Sequence, residues 1–259
     1  MDMFPFLELR GVSFAYHRGN NALESIDLTL TQGAFLSIMG PNGAGKTTLL
    51  KILAGILRPD QGTVRLLGVE IQPTSRTFER FAYVPQFLLF PMDLRVIDFV
   101  LLARTGSTLT GQVRAWDVKK AFEALERVGC LQFWNQDVSH LSGGERQKVF
   151  LAKALAQDTP VLLIDEPVTH LDLKNQEEIL CLLQSLVREE GKKIVAVMHD
   201  LNHARQYTDT VVLLKGGKLC AAGPSSEVLT PTTIGEVFDV EVEDRSGWIV
   251  PRLKTYGLQ

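Results

Sequence analysis

One stretch constrains this chain more than any other: Gly40-Pro41-Asn42-Gly43-Ala44-Gly45-Lys46-Thr47, which fits the pattern GxxxxGK[ST]. It follows a short, mostly apolar strand pattern, Ala34–Met39, and opens a segment with helical spacing that runs to Gly55. Glycines there permit a tight loop whose backbone N–H groups turn inward toward phosphate oxygens, and the helix N-terminus adds partial positive charge at the same point. Lys46 can reach the β- and γ-phosphates, and the Thr47 hydroxyl, with Thr48 beside it, can serve a Mg²⁺–nucleotide. The strand-before, helix-after setting separates this loop from an ordinary glycine-rich turn. An α/β domain that binds a nucleotide is expected.

The rest of the chain supports that class. Phe6–Arg10 alternates apolar and polar residues, and Ala22–Leu30 does so more loosely, with a turn signal at Gly19-Asn20-Asn21 between them. Residues 87–157 read as mainly helical, above all Leu94–Arg104, Trp116–Val128 and Gly144–Gln157. Val161–Ile164 and Ile194–Val197 are fully apolar, as suits strands of a parallel sheet buried on both faces. The amphipathic segment Leu173–Glu190 between them completes a βαβ unit, and Thr210–Leu214 with Lys218–Ala222 reads as a hairpin.

Composition narrows the function classes. With 27 basic and 30 acidic side chains in 259 residues, there is no basic field to favour nucleic acid as a partner. Three scattered cysteines, Cys130, Cys181 and Cys220, make neither a disulfide framework nor a zinc site, and reduced thiols are the expectation. The first residues lack the pattern of a secretory signal, and no apolar run approaches the roughly 18–20 residues that span a bilayer.

Two more motifs carry chemistry. The strand Val161–Ile164 ends in Asp165-Glu166: Asp165 is placed to hold Mg²⁺, and Glu166, one residue on, to polarise a water attacking the γ-phosphate. Leu141-Ser142-Gly143-Gly144-Glu145-Arg146-Gln147 begins 24 residues before Asp165 and precedes a helix. A serine and two glycines at a helix N-terminus form a second anion-binding element, or simply a Ser cap.

Set between the phosphate loop and Ile164-Asp165-Glu166-Pro167, this LSGGERQ segment resembles the ATPase subunit of ATP-binding cassette (ABC) systems, and the resemblance covers almost the whole chain. It implies a P-loop NTPase core with a parallel sheet, an N-terminal antiparallel β subdomain and an inserted α-helical subdomain. The boundaries are 1–86 and 158–224 for the core with its β subdomain, 87–157 for the helical subdomain and 225–259 for a short extension. Tyr16 resembles the aromatic that stacks on adenine. Gln86, in Tyr83-Val84-Pro85-Gln86, is similar to the glutamine that contacts Mg²⁺ and water. His170-Leu171-Asp172 resembles the loop that crosses the dimer interface, and His199 the histidine near the γ-phosphate. Val168 stands where relatives usually carry a hydroxyl residue.

The same resemblance implies that ATP and Mg²⁺ are bound, that two copies pair head to tail, and that Ser142, Gly143, Gly144, Glu145 and Asp172 close over ATP held by the other copy. The apolar run Phe87–Met92 is read as the groove for a cytoplasmic helix of a separate membrane permease, or as packing of the helical insertion. The 60 residues after His199 are too few for the large regulatory domain of many sugar-importer ATPases, and no fused membrane domain is expected among them. Leu171–Gln176, Glu227–Thr230 and Ile234–Val242 are similar to importer ATPases for iron-siderophores, haem and cobalamin. The expected setting is peripheral, on the cytoplasmic face of the cell membrane, beside a permease and a substrate-binding protein. A soluble ABC ATPase such as an iron–sulphur assembly scaffold, or the ATPase of an efflux system, are the alternatives.

Overall fold

The N-terminal alternation extends further than its pattern predicts. In the computed structural model, which describes residues 5–17, 19–31, 33–72, 80–86, 94–105, 113–169 and 171–252, it becomes two long antiparallel strands. The chain divides into two compact units: Met1–Ile52, Arg58–Ile71 and Val197–Gln259 form the first, and Leu53–Leu57 with Gln72–Ala196 the second.

In the first unit, β1 (Leu7–His17) pairs with β2 (Asn20–Leu30), from Leu7 opposite Leu30 to His17 opposite Asn20. The short, fully buried β3 (Phe35–Met39) then leads through the phosphate loop into α1 (Lys46–Leu53). β4 (Gln61–Leu66) and β5 (Val69–Glu70) complete an antiparallel sheet in the order β2-β1-β4-β5. Its inward positions, among them Leu7, Leu9, Val12, Leu23 and Val64, are buried. Each such side chain contributes roughly 1.5–3 kcal/mol when removed from water. β4 escapes the sequence reading because its first half, Gln61-Gly62-Thr63, is exposed and carries no apolar alternation.

The later part of this unit begins with α6 (Leu201–Tyr207), followed by β9 (Thr210–Lys215) and β10 (Lys218–Pro224). β9 lies parallel to β3, with Leu36 opposite Thr210 and Met39 opposite Leu213, and β10 returns antiparallel beside β9. Next come α7 (Ser225–Val228), α8 (Pro231–Phe238) and the hairpin of β11 (Val242–Arg245) with β12 (Trp248–Pro251). That hairpin is fastened to α6. The Asn202 amide exchanges hydrogen bonds with both backbone groups of Ile249, at 2.8 and 3.2 Å, and Arg205 pairs with Asp244 at 2.5 Å.

The second unit holds β6 (Phe81–Val84), α2 (Val96–Thr105), α3 (Ala115–Arg127), α4 (Gly143–Ala156), β7 (Val161–Asp165), α5 (Leu173–Glu190) and β8 (Lys193–Val197). Its strands run in the order β8-β7-β6. The helices match the expected spans with ends displaced by one or two residues, the usual uncertainty of helix termini. α2 starts only at Val96, because Leu94 and Arg95 are drawn into backbone bonds with Val138 and Asp137. Phe99 on α2 packs on Phe150 of α4 with ring centroids 4.8 Å apart. The Arg104 guanidinium at the end of α2 donates to Asp117 on α3 at 2.9 Å and to the Ala156 carbonyl of α4 at 3.1 Å, joining three helices. No helix among the described residues is long and apolar enough to cross a membrane.

Candidate functional site

The phosphate loop takes its shape from glycines whose backbones no other residue adopts easily. Gly40, Gly43 and Gly45 have φ of +147°, +77° and +95°. A Cβ on Gly40 would run into the Leu214 carbonyl of β9, and one on Gly45 into the Ala22 carbonyl of β2, so two of the three also sit where backbones touch. Nothing lies within 4 Å of a Cβ on Gly43, which shares the loop's outer face with exposed Asn42. The Ala44 N–H donates to the Pro41 carbonyl at 3.2 Å, tightening the loop before α1 begins.

Lys46 is 6% exposed. Its ammonium donates to the carbonyl oxygens of Gly40 and Pro41 at 2.8 and 2.9 Å, so the side chain folds back over the mouth of the loop. Thr47 is half-buried and Thr48 is buried in the first turn of α1. Tyr16, 53% exposed on β1, meets Phe14 edge-on at 5.0 Å, and its hydroxyl stands 3.3 Å from Thr48 Oγ1. The aromatic expected to stack on a base is thus fixed beside the phosphate loop. His199 is exposed in the same unit, just after Met198, whose N–H donates at 3.1 Å to the carbonyl of Ile38 on the strand that enters the loop. Asp200 then caps α6 by accepting from the N–H groups of Asn202 and His203.

The second unit carries the acidic residues. β6 and β7 are parallel, with Val84 opposite Ile164, so Gln86 and the pair Asp165-Glu166 leave the sheet at the same carboxyl edge. Ligands of open α/β sheets sit at such edges. Asp165 is 1% exposed. Glu166 is half-buried and has φ of +55°, a left-handed conformation that is costly for a residue with a side chain. Strain at the residue picked as the general base fits a place where geometry outranks stability.

The LSGGERQ segment forms the start of α4. Ser142 is its N-cap: its N–H and hydroxyl donate to the Glu145 carboxylate at 2.8 and 2.7 Å, and its oxygen accepts from the Glu145 N–H at 3.4 Å. This reciprocal box serves the helix itself, while Ser142 and Gly143 remain exposed. Asp172 caps α5 more simply, its carboxylate accepting from the Asn175 N–H. The first unit therefore brings together Tyr16, Gly40–Thr48 and His199, and the second holds Gln86, Asp165, Glu166, Ser142–Glu145 and Asp172. His170 and the apolar run Phe87–Met92 lie outside the described residues. The hairpin turn at Gly216-Gly217 is legible in the sequence, but not its bond to Ala44 of the phosphate loop, nor the approach of Asn175 to Gly144.

A glycine-built phosphate loop between a buried strand and a helix, with a separate strand ending in buried Asp165, defines a P-loop nucleoside triphosphatase. Comparison with known proteins places it more closely. The ABC transporter family pattern matches residues 23–169, and the chain belongs to that family as an ABC ATPase. The iron(3+)-hydroxamate import ATP-binding protein FhuC of Bacillus subtilis is 37% identical over 224 residues, covering 85% of this chain and 83% of that protein. The hemin import ATP-binding protein HmuV of Rhodopseudomonas palustris is 36% identical over 266 residues, covering 97% and 99% respectively. Among solved structures, the dimeric ATP-binding cassette MJ0796 in a post-hydrolysis state with ADP and Pi aligns with a TM-score of 0.76 at 30% identity, over 85% of this chain and 98% of that one.

Proposed function

We propose that the chain is the ATP-hydrolysing subunit of a membrane importer for a chelated-metal nutrient: an iron-siderophore, haem or cobalamin. Relatives named for iron(3+)-hydroxamate and hemin import support the substrate class. In this reading two copies pair head to tail, a separate permease and a substrate-binding protein complete the system, and the subunit sits on the cytoplasmic face of the membrane. Residues 1–86 and 158–224 act as the nucleotide core, 87–157 as the helical subdomain and 225–259 as an extension.

The observation that carries the catalytic assignment is the register of β6 against β7, which sets Gln86 and Glu166 at one sheet edge. Glu166 acts as the base that polarises water, Gln86 orients it, and His199 and Lys46 contact the γ-phosphate. Tyr16 takes the adenine, and Gly40, Pro41, Asn42, Gly43, Ala44, Gly45, Thr47 and Thr48 take the phosphates. Ser142, Gly143, Gly144, Glu145 and Asp172 serve the nucleotide of the second copy. Thr47, Gln86 and Asp165 offer only oxygen donors, the set a hard cation such as Mg²⁺ prefers, and they would hold it together with phosphate oxygens. Bound there, the ion neutralises charge on the phosphates.

Glu166→Gln tests the reading. It keeps the shape of the side chain but not its basicity, so hydrolysis should fall by about a hundredfold or more while ATP binding persists and ATP-bound dimers accumulate. Near-normal turnover would remove Glu166 from its role. Purification of the tagged chain from detergent extracts tests the importer: recovery with a permease supports it, and recovery with soluble iron–sulphur proteins alone would overturn it.

A further inference from the structure

Two helix N-termini with assigned roles toward the second copy lie against each other within one chain at a residue that has no assigned role. Asn175, in the first turn of α5, donates from its backbone N–H and from its side-chain Nδ2 to the same Asp172 carboxylate oxygen, at 2.8 and 2.9 Å. Its amide also lies face-on against Gly144 of α4. A Cβ built on Gly144 would stand 3.2 Å from Asn175 Nδ2, 3.3 Å from Cγ and 3.7 Å from Oδ1. Gly143, one residue earlier, has nothing within 4 Å of the equivalent point. The two glycines of the segment therefore differ. Gly143 leaves an open backbone face, and Gly144 makes room for a side chain of the same chain.

The contact repeats one turn further along. Lys148, four residues after Gly144, is ion-paired with Glu178, three residues after Asn175. The lysine holds the Glu178 carboxyl below its usual range, chiefly through their hydrogen bond. Residues three and four apart share a helix face, so α4 and α5 are joined on consecutive turns of facing surfaces. Two such contacts fix both the separation of the helices and their rotation.

We propose that Asn175 is a positioning residue that sets the start of α4 at a fixed distance from the start of α5, so that Ser142–Gly144 and Asp172 meet the second copy as one body. The hydrogen bond to the ionised Asp172 carboxylate, stronger than one between neutral groups, holds the Asn175 amide still, so that it can act as a fixed spacer in van der Waals contact with Gly144. The proposal rests on the reading that these segments act across a dimer, and its test separates the two.

In the Glu166→Gln background, dimer formation is followed by light scattering across an ATP titration. Asn175→Ala removes the spacer against Gly144 and the bond that fixes Asp172, and should raise the ATP concentration at half-dimerisation by about fivefold to tenfold. Binding of a fluorescent ATP analogue to the monomer should be unchanged. Asn175→Asp keeps the size of the side chain but sets a second carboxylate beside Asp172, so it should be as defective as alanine. Gly144→Ala, which displaces the same amide, should combine with Asn175→Ala less than additively. A midpoint within about twofold of the reference, or full recovery by Asn175→Asp, would overturn the role given to Asn175. If Glu166→Gln itself forms no ATP-dependent dimer, the functional reading fails instead. The link is then read from hydrogen exchange at residues 143–146, which should quicken in Asn175→Ala; unchanged exchange would sink it.

Discussion

The ammonium of Lys46 donates to the carbonyl oxygen of Gly40 at 2.8 Å, so the cation at the end of the phosphate loop is braced by the residue that begins it. A lysine in that position is preorganised: its charge is already at the loop mouth, and burial prevents its stem from wandering. Little ordering entropy then remains to be lost when phosphate arrives.

Lys46→Ala removes a charge-assisted contact and also releases the Gly40 and Pro41 carbonyls. Nucleotide affinity should fall by about tenfold to a hundredfold, given roughly 1.5–3 kcal/mol for a hydrogen bond to a charged group. Calorimetric titration with ATP checks this, and unchanged affinity would remove Lys46 from phosphate binding.

The loop's glycines should not be equivalent. Gly43→Ala meets open space and suffers only its left-handed φ of +77°, a cost of about 1–2 kcal/mol. Gly40→Ala has φ of +147° and drives a methyl group into the Leu214 carbonyl, so β9 or the loop must move at a cost of about 3 kcal/mol or more. Urea unfolding of the two variants gives the comparison. Equal losses would show that close approach to β9 is not what Gly40 provides.

That difference also marks what a sequence can reveal. The chemistry of Gly40–Thr47, Asp165-Glu166 and Ser142–Glu145 lies in contiguous residues, and so did the strands and helices whose apolar spacing is regular. What stayed hidden depends on partners far away in the chain. Gly144 meets Asn175, and Ala44 meets Gly217, through contacts that no local pattern encodes. β4 starts on exposed polar residues, and the strands of the C-terminal hairpin are only four residues each, held to α6 by Asn202 and Arg205. The left-handed backbone of Glu166 had no sequence signal either, since the glycine that usually marks such a turn is absent.

The hub at Arg104 predicts a pH dependence. The Arg114 N–H, and after it the Arg104 guanidinium, hold the Asp117 carboxyl below the usual carboxylate range. A carboxyl whose folded pKa lies below its unfolded value of about 3.9 contributes stability that is complete above that value and lost as pH falls through the folded pKa. Asp117→Asn should therefore be less stable than the parent at pH 7, with the gap closing in acid below about pH 4. Urea midpoints measured from pH 7 to pH 3 check it, and a gap independent of pH would assign the loss to packing.

The turn between β9 and β10 makes the last prediction, because it supports the phosphate loop from beneath. The Gly217 N–H donates to the Ala44 carbonyl inside the loop at 3.3 Å, and its own carbonyl accepts from the Glu24 N–H on β2 at 2.8 Å. Gly217 has φ of +78°, and a Cβ there would stand 3.0 Å from the Ala22 oxygen, the same atom that bars a side chain at Gly45. A methyl group on Gly217 would press on β2 at the Ala22 carbonyl and so pull on the Gly217–Ala44 bond that links the turn to the loop. Gly216, with φ of +55°, has nothing within 4 Å of its Cβ position and is the matched control. Both alanine variants carry the left-handed strain of about 1–2 kcal/mol, but only Gly217→Ala should raise KM for ATP several-fold. Its kcat should fall as well, since Lys46 stands at the end of the same loop. Equal KM values for the two variants would show that the turn supports the fold and not the site.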